Sequence, residues 1–230
     1  MTQTIPITSE PLSPGDELAA LPIFPLPNVV FFPGTLLPLH VFEPRYREMV
    51  THAMDTDQRL GVVLLKSGYE ADYHGAPEVH DTFCVGEIAM YRPMPDGRSN
   101  IVLRGLGRAR IVEEHDTPHP FRLVRATTLG GELLGQQGDP LARHLATVRQ
   151  LFASIVARVP QLQVQDADSL FSPDTDPGSV IDSIASAIPA PPEKKQAMLG
   201  ALNMVDRASL LADALAEALA DTLTTGEGEG

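Results

Sequence analysis

The chain has 230 residues, a mass of 24.8 kDa, 17 basic and 30 acidic side chains (net charge −13), one cysteine and no tryptophan. That length supports one domain or two small ones with a real core, and 43% hydrophobic with 20% charged residues is ordinary globular usage, which excludes wholesale disorder. The acidic balance disfavours nucleic acid and anionic membrane surfaces, because affinity for phosphates comes from Lys and Arg displacing counterions. The single Cys84 excludes an intrachain disulfide framework and a multi-cysteine zinc site. No run reaches the roughly 18 apolar residues of a membrane span, and the start MTQTIPITSEPLSPGDE lacks the basic and apolar parts of a signal peptide, so the cytoplasm is expected.

In chain order, residues 1–20 are rich in Pro, Ser and Thr and read as a flexible leader, with order expected from Leu21. From 21 to 130 short apolar runs are cut by Pro and Gly, the pattern of β-strands joined by turns. One helix interrupts them: Pro44 suits a first turn, and Tyr46, Met49, Val50 and Ala53 recur at helical spacing. Leu60 to Leu65 is continuously apolar, which predicts a strand covered on both faces. Further strands are expected at Phe83–Tyr91, Asn100–Arg104 and Arg108–Glu113, with Met94-Pro95-Asp96-Gly97 as the turn of a hairpin.

A glycine-rich joint, Gly130 to Gly138, separates this region from one that reads as helical over 139–222. Asp139 and Pro140 can start a helix whose Leu141, Leu145, Val148, Leu151, Phe152, Ile155 and Val159 form one stripe, ending at Pro160. The next helices are expected from Pro177 to Ile188, from near Pro192, and from near Asp206 with Leu210, Leu211, Leu215 and Leu219 inward. Residues 223–230 are expected to be a disordered tail. Residues 1–130 carry 11 basic and 16 acidic side chains and residues 131–230 carry 6 and 14, so neither half is a basic module.

The residue types offer little for catalysis. A phosphate-binding loop needs a Gly-Lys pair, and none exists; the only lysines are Lys66, Lys194 and Lys195. Lys194 and Lys195 belong to a solvated helix start, and Lys66, at the end of an apolar strand, is the one lysine placed to be half-buried for a Ser-Lys pair. Of the seven histidines, the densest metal-like groups are Glu113-Glu114-His115-Asp116 with His119, and His74 with Glu78, His80 and Asp81. Both fall in polar loops, where nothing holds ligands in geometry, so exposed loop residues are the ordinary reading. His40, His52 and His144 stand apart. Cys84 lies between Phe83 and Val85 and reads as a small core hydrophobe. No catalytic residue, metal or cofactor is expected.

The segment Leu21 to Phe42 is both apolar and rich in proline, which removes ladder donors and predicts an extended, bent course over a core with no long central strand. It holds more large apolar side chains than such a course hides easily. An exposed binding patch is therefore expected at Phe31, Phe32, Leu36 and Leu37, joined by Tyr91 and Met94 from the hairpin.

Several segments then resemble, in order, one known family. Leu21-Pro22 through Phe32-Pro33-Gly34, Leu37-Pro38-Leu39 and the Pro44-Arg45-Tyr46 helix are similar to the opening of the Lon protease N-terminal, substrate-binding domain. Val85-Gly86-Glu87-Ile88-Ala89 and Leu103-Arg104-Gly105-Leu106-Gly107-Arg108-Ala109-Arg110-Ile111 resemble two of its strands, and Ile184 to Pro189, Glu193-Lys194-Lys195-Gln196 and Arg207 its helical part. The resemblance implies an α+β protein: a PUA-like twisted β-barrel with one inserted helix, then a C-terminal helical bundle, in a protein that recognises unfolded or damaged polypeptide. Full Lon proteases place an ATPase and a Ser-Lys protease after this domain, and neither is legible in these residues. Phe42-Glu43-Pro44-Arg45-Tyr46-Arg47 resembles the short, stand-alone bacterial members.

The expected function is a non-catalytic module that binds exposed hydrophobic segments of client proteins in protein quality control, alongside a separate protease or chaperone. Two other classes stay open. Arg104, Arg108, Arg110, Arg122 and Arg125 could form an RNA-binding stripe on a PUA-like barrel, though pairing with Glu87, Glu113 and Glu114 is the ordinary fate of such arginines. The histidine and carboxylate groups leave a metal-dependent hydrolase as the third.

Overall fold

The structure is a computed structural model that describes residues 3–4, 12–73, 75–130, 138–158, 170–172 and 174–226. It is a mixed α+β chain in two compact units, Met1–Gly130 and Gly131–Gly230. No helix among the described residues is long and apolar enough to cross a membrane.

Among the described residues the first unit has seven strands: β1 (Gln3–Thr4), β2 (Glu17–Leu26), β3 (Leu36–Val41), β4 (Arg59–Leu64), β5 (Thr82–Pro93), β6 (Ser99–Glu114) and β7 (Arg122–Leu129). Their pairings close on themselves: β5 pairs with β4, β4 with β2, β2 with β7, β7 with β6, and β6 again with β5. Only β2–β4 is parallel among these. β3 is added to β6, and β1 to β5. Leu18, Leu21, Ile23, Val63, Phe83, Val85, Ala109, Val124 and Ala126 form one core cluster. The alternate residues of β4, Leu60, Val62 and Leu64, are buried as well, as the continuous apolar run predicts.

Helix α1 (Pro44–Met54) has Pro44 in its first turn, and it buries Tyr46, Met49, Val50 and Ala53. Tyr46 packs on Phe24 of β2 with ring centroids 4.3 Å apart. The hairpin turn at Met94–Gly97 forms as expected: Gly97 N–H donates to Met94 O, and Gly97 adopts φ +83°, a region open to glycine.

Four expectations are corrected. Order begins before Leu21, since β2 starts at Glu17, Gly15 N–H donates to Thr128 O and Leu12 packs on the core. The two strands expected at Asn100–Arg104 and Arg108–Glu113 are one sixteen-residue strand, because Gly105-Leu106-Gly107 makes a bulge against Val85-Gly86 and does not end the ladder.

The proline-rich run, in turn, supplies a central strand. Leu65 N–H donates to Leu26 O, so even-numbered backbone groups of β2 face β4 and odd-numbered ones face β7. Pro22 therefore lacks its donor on the β4 side, where pairing starts only at Ile23, and Pro25 lacks its donor on the β7 side, where pairing has ended at Ile23. Neither proline interrupts a ladder. The expected tail from 223 is also displaced, because helix continues to Gly226; residues 227–230 lie outside the described residues.

Among its described residues the second unit holds α2 (Gly138–Val156), α3 (Pro177–Ala187), α4 (Pro192–Gly200) and α5 (Met204–Gly226), and α5 packs against α2, α3 and α4. Of the α2 stripe, Val148, Phe152 and Ile155 are buried, while Leu141, Leu145 and Leu151 are half-buried; Val159 and Pro160 lie outside the described residues. Asp176 caps α3 by accepting from Ser179 N at 2.8 Å. The α4–α5 turn is fixed by Arg207, whose guanidinium donates to Ala201 O at 2.9 Å and to Asp182 Oδ1 of α3 at 3.4 Å, with both charged side chains buried. Lys195 is not simply solvated: it donates to Ser186 O at 2.8 Å, and burial lowers its pKa.

Candidate functional site

The expected patch residues separate into three environments. Phe31 (2% exposed) and Phe32 (0%) are core residues, which corrects their assignment to an exposed surface. The cause is close packing against glycines of neighbouring strands. A Cβ on Gly86 would stand 2.7 Å from the Phe31 ring, and one on Gly105 would stand 2.2 Å from the Phe32 carbonyl oxygen. The Phe31 ring thus fills space that only glycine leaves, and Gly105 allows the Phe32 backbone to approach β6.

Leu36, by contrast, is 64% exposed. It begins β3, whose residues alternate outward (Leu36, Pro38, His40) and inward (Leu37, Leu39, Val41). Cross-strand partners share a face, so the register makes rows across three strands. Pro38, Val102 and Met90 form one row, and Leu36, Arg104 and Glu87 the next. Met90, 38% exposed, and half-buried Val102 therefore extend the apolar surface that Leu36 and Pro38 begin. Phe42, 59% exposed, lies just past the end of β3 with its ring 6.0 Å from that of His40.

One end of this surface is closed by a charge pair. Glu87 is 1% exposed, and Arg104 Nη2 donates to its Oε2 at 2.8 Å. Arg59 of β4 stands opposite Glu87 on its other side. The apolar part of this face is thus the Pro38–Val102–Met90 row with Leu36, bounded on one side by Arg104 and Glu87 and on the other by the polar row His40–Asn100–Arg92.

Leu37 and Tyr91 belong to the other face, where Leu37 is opposite buried Leu103, and Tyr91 opposite buried Ile101. Tyr91 lines a polar groove of about 480 Å³ with Arg47, Glu48 and Thr51 of α1 and with Arg98 of the hairpin. Met94 is half-buried in the turn itself, its N–H donating to Arg98 O. Met90, not Tyr91, is the β5 residue in the Pro38 row, on the face that Leu36 shares. Ala89 shifts the β5–β6 register by one residue, and no feature of the sequence marks that shift.

Among the described residues β3 pairs only with β6, so its far side is an open edge. Gly105 N–H donates to Thr35 O, and the two-residue period of the ladder then directs the backbone groups of Leu36, Pro38 and His40 outward. Proline at the middle of the three removes the central outward donor, the usual protection of an edge against unwanted pairing.

The residues of the other two functional classes are used elsewhere. Arg122 makes a two-pronged contact with Glu114 at 2.7 and 2.6 Å, Arg125 pairs with Glu17 and Glu113 at 3.1 Å, and Arg104 pairs with Glu87. Three of the five candidate RNA-binding arginines thus face carboxylates.

The Glu113–His119 group is dispersed. His115 contacts Ala19 O at 2.7 Å, while His119 lies 3.4 Å from Glu48 and stacks on Phe121 with centroids 4.7 Å apart. No group of three or more His, Cys, Asp or Glu that could hold a metal occurs among the described residues; His74 lies outside them. Cys84 is buried, its thiol directed at Val85 O. Lys66 is exposed and pairs with Glu78 at 3.3 Å, so it is not the half-buried lysine a Ser-Lys pair requires.

One cluster was not anticipated. Tyr73 O–H donates to Glu43 Oε1 at 3.0 Å, Arg45 Nε donates to Glu43 Oε2 at 3.2 Å, and the Arg45 guanidinium lies over the Tyr46 and Tyr73 rings at 4.6 and 5.2 Å. The crevice lined by Arg45, Tyr46 and Tyr73 measures about 30 Å³, room for about one water. It latches the segment after β4 to the start of α1. Burial pushes the Tyr46 phenol up to about 12, and burial followed by the hydrogen bond to Glu43 raises Tyr73.

With this geometry established, likeness to known proteins is specific. Residues 20–217 match the family described as the ATP-dependent protease La (LON) substrate-binding domain. The chain is 30% identical over 195 residues to Lon protease 2 of Myxococcus xanthus, covering 85% of this chain and 23% of that one. It is 28% identical over 201 residues to the Lon protease of Anaeromyxobacter dehalogenans, covering 87% and 23%. It thus spans about a quarter of the length of the curated relatives it matches.

The N-terminal domain of the Mycobacterium avium complex Lon protease superimposes with a TM-score of 0.68 at 17% identity, over 86% of this chain and 98% of that one. A Lon N-terminal domain protein from Xanthomonas campestris gives 0.62 at 19% identity, over 85% and 98%. At those identities the two structures speak for the fold, and the sequence match speaks for descent. The chain belongs to the Lon substrate-binding domain family.

Proposed function

We propose that this protein is a non-catalytic binding module that takes up unfolded or exposed apolar segments of other proteins on the β3–β6–β5 face of its first unit. The closed ring of strands supports reading that unit as a PUA-like barrel, and the shared packing on α5 supports reading the second as a helical bundle. The observation that carries the functional reading is the row Pro38–Val102–Met90 beside exposed Leu36, with Phe42 close by. Large apolar side chains held outward on a rigid sheet lose little conformational freedom when a client covers them, and methionine adapts to varied partners. Family membership makes polypeptide the natural ligand class. Delivery of bound clients to a separate protease or chaperone in the cytoplasm follows as the role in quality control.

The test is a binding titration against one protein in two states, native and permanently unfolded by reduction and carboxymethylation. Preference for the unfolded state supports the proposal, and equal, negligible affinity for both states removes it. The paired arginines leave RNA as the weaker reading.

A further inference from the structure

The apolar face borders a second open edge, and the short strand β1 lies on it. β4 pairs with β5 only as far as Arg59 opposite Glu87; the next contact on that side is Ile88 N–H donating to Gln58 O, outside the strand. From Ala89 onward β5 keeps β6 on one side and loses β4 on the other. The vacated edge is taken by β1, which runs antiparallel with Gln3 opposite Tyr91 and Thr4 opposite Met90. The chain is fastened again at Gly15, whose N–H donates to Thr128 O, only eleven positions along the sequence from Thr4.

A strand edge is a template for any extended polypeptide, because its unpaired N–H and C=O groups repeat at a fixed spacing whatever the sequence of the guest. A guest strand alternates its side chains between the two faces of the sheet. Here one set would lie beside Met90, Val102 and Pro38, and the other beside Tyr91 and its groove. The edge thus joins the two faces between which the expected patch residues are divided.

We propose that the β5 edge from Met90 to Pro93 is a strand-addition site for extended polypeptide, and that the N-terminal strand β1 is a tethered competitor for it. The proposal rests on the client-binding function given above and adds its mode and its regulation. Two residue pairs give β1 a weak hold, offset by the high effective concentration that a short tether confers. A client able to pair over more residues displaces it.

The experiment compares the full chain with a variant lacking residues 1–11, using reduced, carboxymethylated α-lactalbumin as the client. Removal of the leader is expected to tighten binding by about 3- to 10-fold, a modest gain because a two-pair strand competes weakly even when tethered. A synthetic peptide of residues 1–11 added in trans is expected to weaken binding to the truncated chain and to leave the full chain little changed. A full-length Gln3→Pro/Thr4→Pro variant guards against a folding defect of the truncation, since one of two successive strand residues must direct its N–H at β5; it should behave like the truncation. Hydrogen exchange over residues 89–93 should quicken in both variants and slow again when client is added.

Client binding of equal strength by all three chains overturns this proposal and leaves the proposed function standing. Absence of client binding by any of them removes the proposed function and this proposal together.

Discussion

Met90 and Val102 face each other across β5 and β6, and the register continues the pair into Pro38 of β3. Without the extra residue at Ala89, the count from Ile88 opposite Leu103 would put Ala89 opposite Val102 and turn Met90 to the other face, opposite Ile101. The bulge at Ala89 therefore decides which hairpin side chain borders the candidate site.

The Leu36→Asp and Met90→Asp variants put charge into the apolar surface. Because both side chains are exposed, stability should change by no more than about 0.5 kcal/mol. Affinity for an unfolded client should fall about tenfold or more, roughly 1.4 kcal/mol. Chemical unfolding and a binding titration on the same samples check both statements, and unchanged client affinity would exclude this face.

Phe32→Ala acts on the core. Removing a fully buried phenylalanine is expected to destabilise the first unit by about 3–5 kcal/mol. Urea denaturation monitored by tyrosine fluorescence measures the loss, and a change below about 1 kcal/mol would contradict the packing described for Phe32.

Arg207→Ala leaves the Asp182 carboxylate buried without its cation and the carbonyls of Ala201 and Leu202 without a side-chain donor. A loss of about 3–5 kcal/mol is expected in the second unit. The double variant Arg207→Met/Asp182→Leu should recover much of it, because replacing both buried partners by apolar groups is far less costly than removing one. Thermal unfolding of the three proteins distinguishes a buried pair from a surface one.

Tyr46 gives a pH dependence with a definite sign. Its phenol titrates near 10 in the unfolded chain and at about 12 in the folded one. The unfolded state therefore gives up its proton first, and stability that is complete below pH 10 is lost as the pH rises from 10 towards 12. Tyr46→Phe should remove that part of the alkaline decline. Denaturation midpoints across this window, compared with the parent chain, read the difference, and identical slopes would show that Tyr46 is not the group responsible.

What the residues determined by themselves was local. The stripe Tyr46, Met49, Val50 and Ala53, the proline that opens α1, the turn at Met94–Gly97 and the Pro177 helix follow from spacing, capping and permitted dihedral angles, all effects within a few residues. The family resemblance joined these pieces through the order of short motifs along the chain.

Tertiary structure decided what depends on neighbours distant in sequence. Pro22 and Pro25 sit in a central strand because each missing donor faces a side where the ladder is absent, a fact about β4 and β7 and not about β2. The Phe31 ring is core because Gly86, more than fifty residues away, leaves room for it, and Gly105 leaves room for the backbone of Phe32. Met90 joins Leu36 on one face because a bulge shifts a register, and β1 lies beside it because β4 begins too late to cover that edge. Periodicity shows that a side chain has an inward or outward position along its own strand; only the partner strands determine what it meets there.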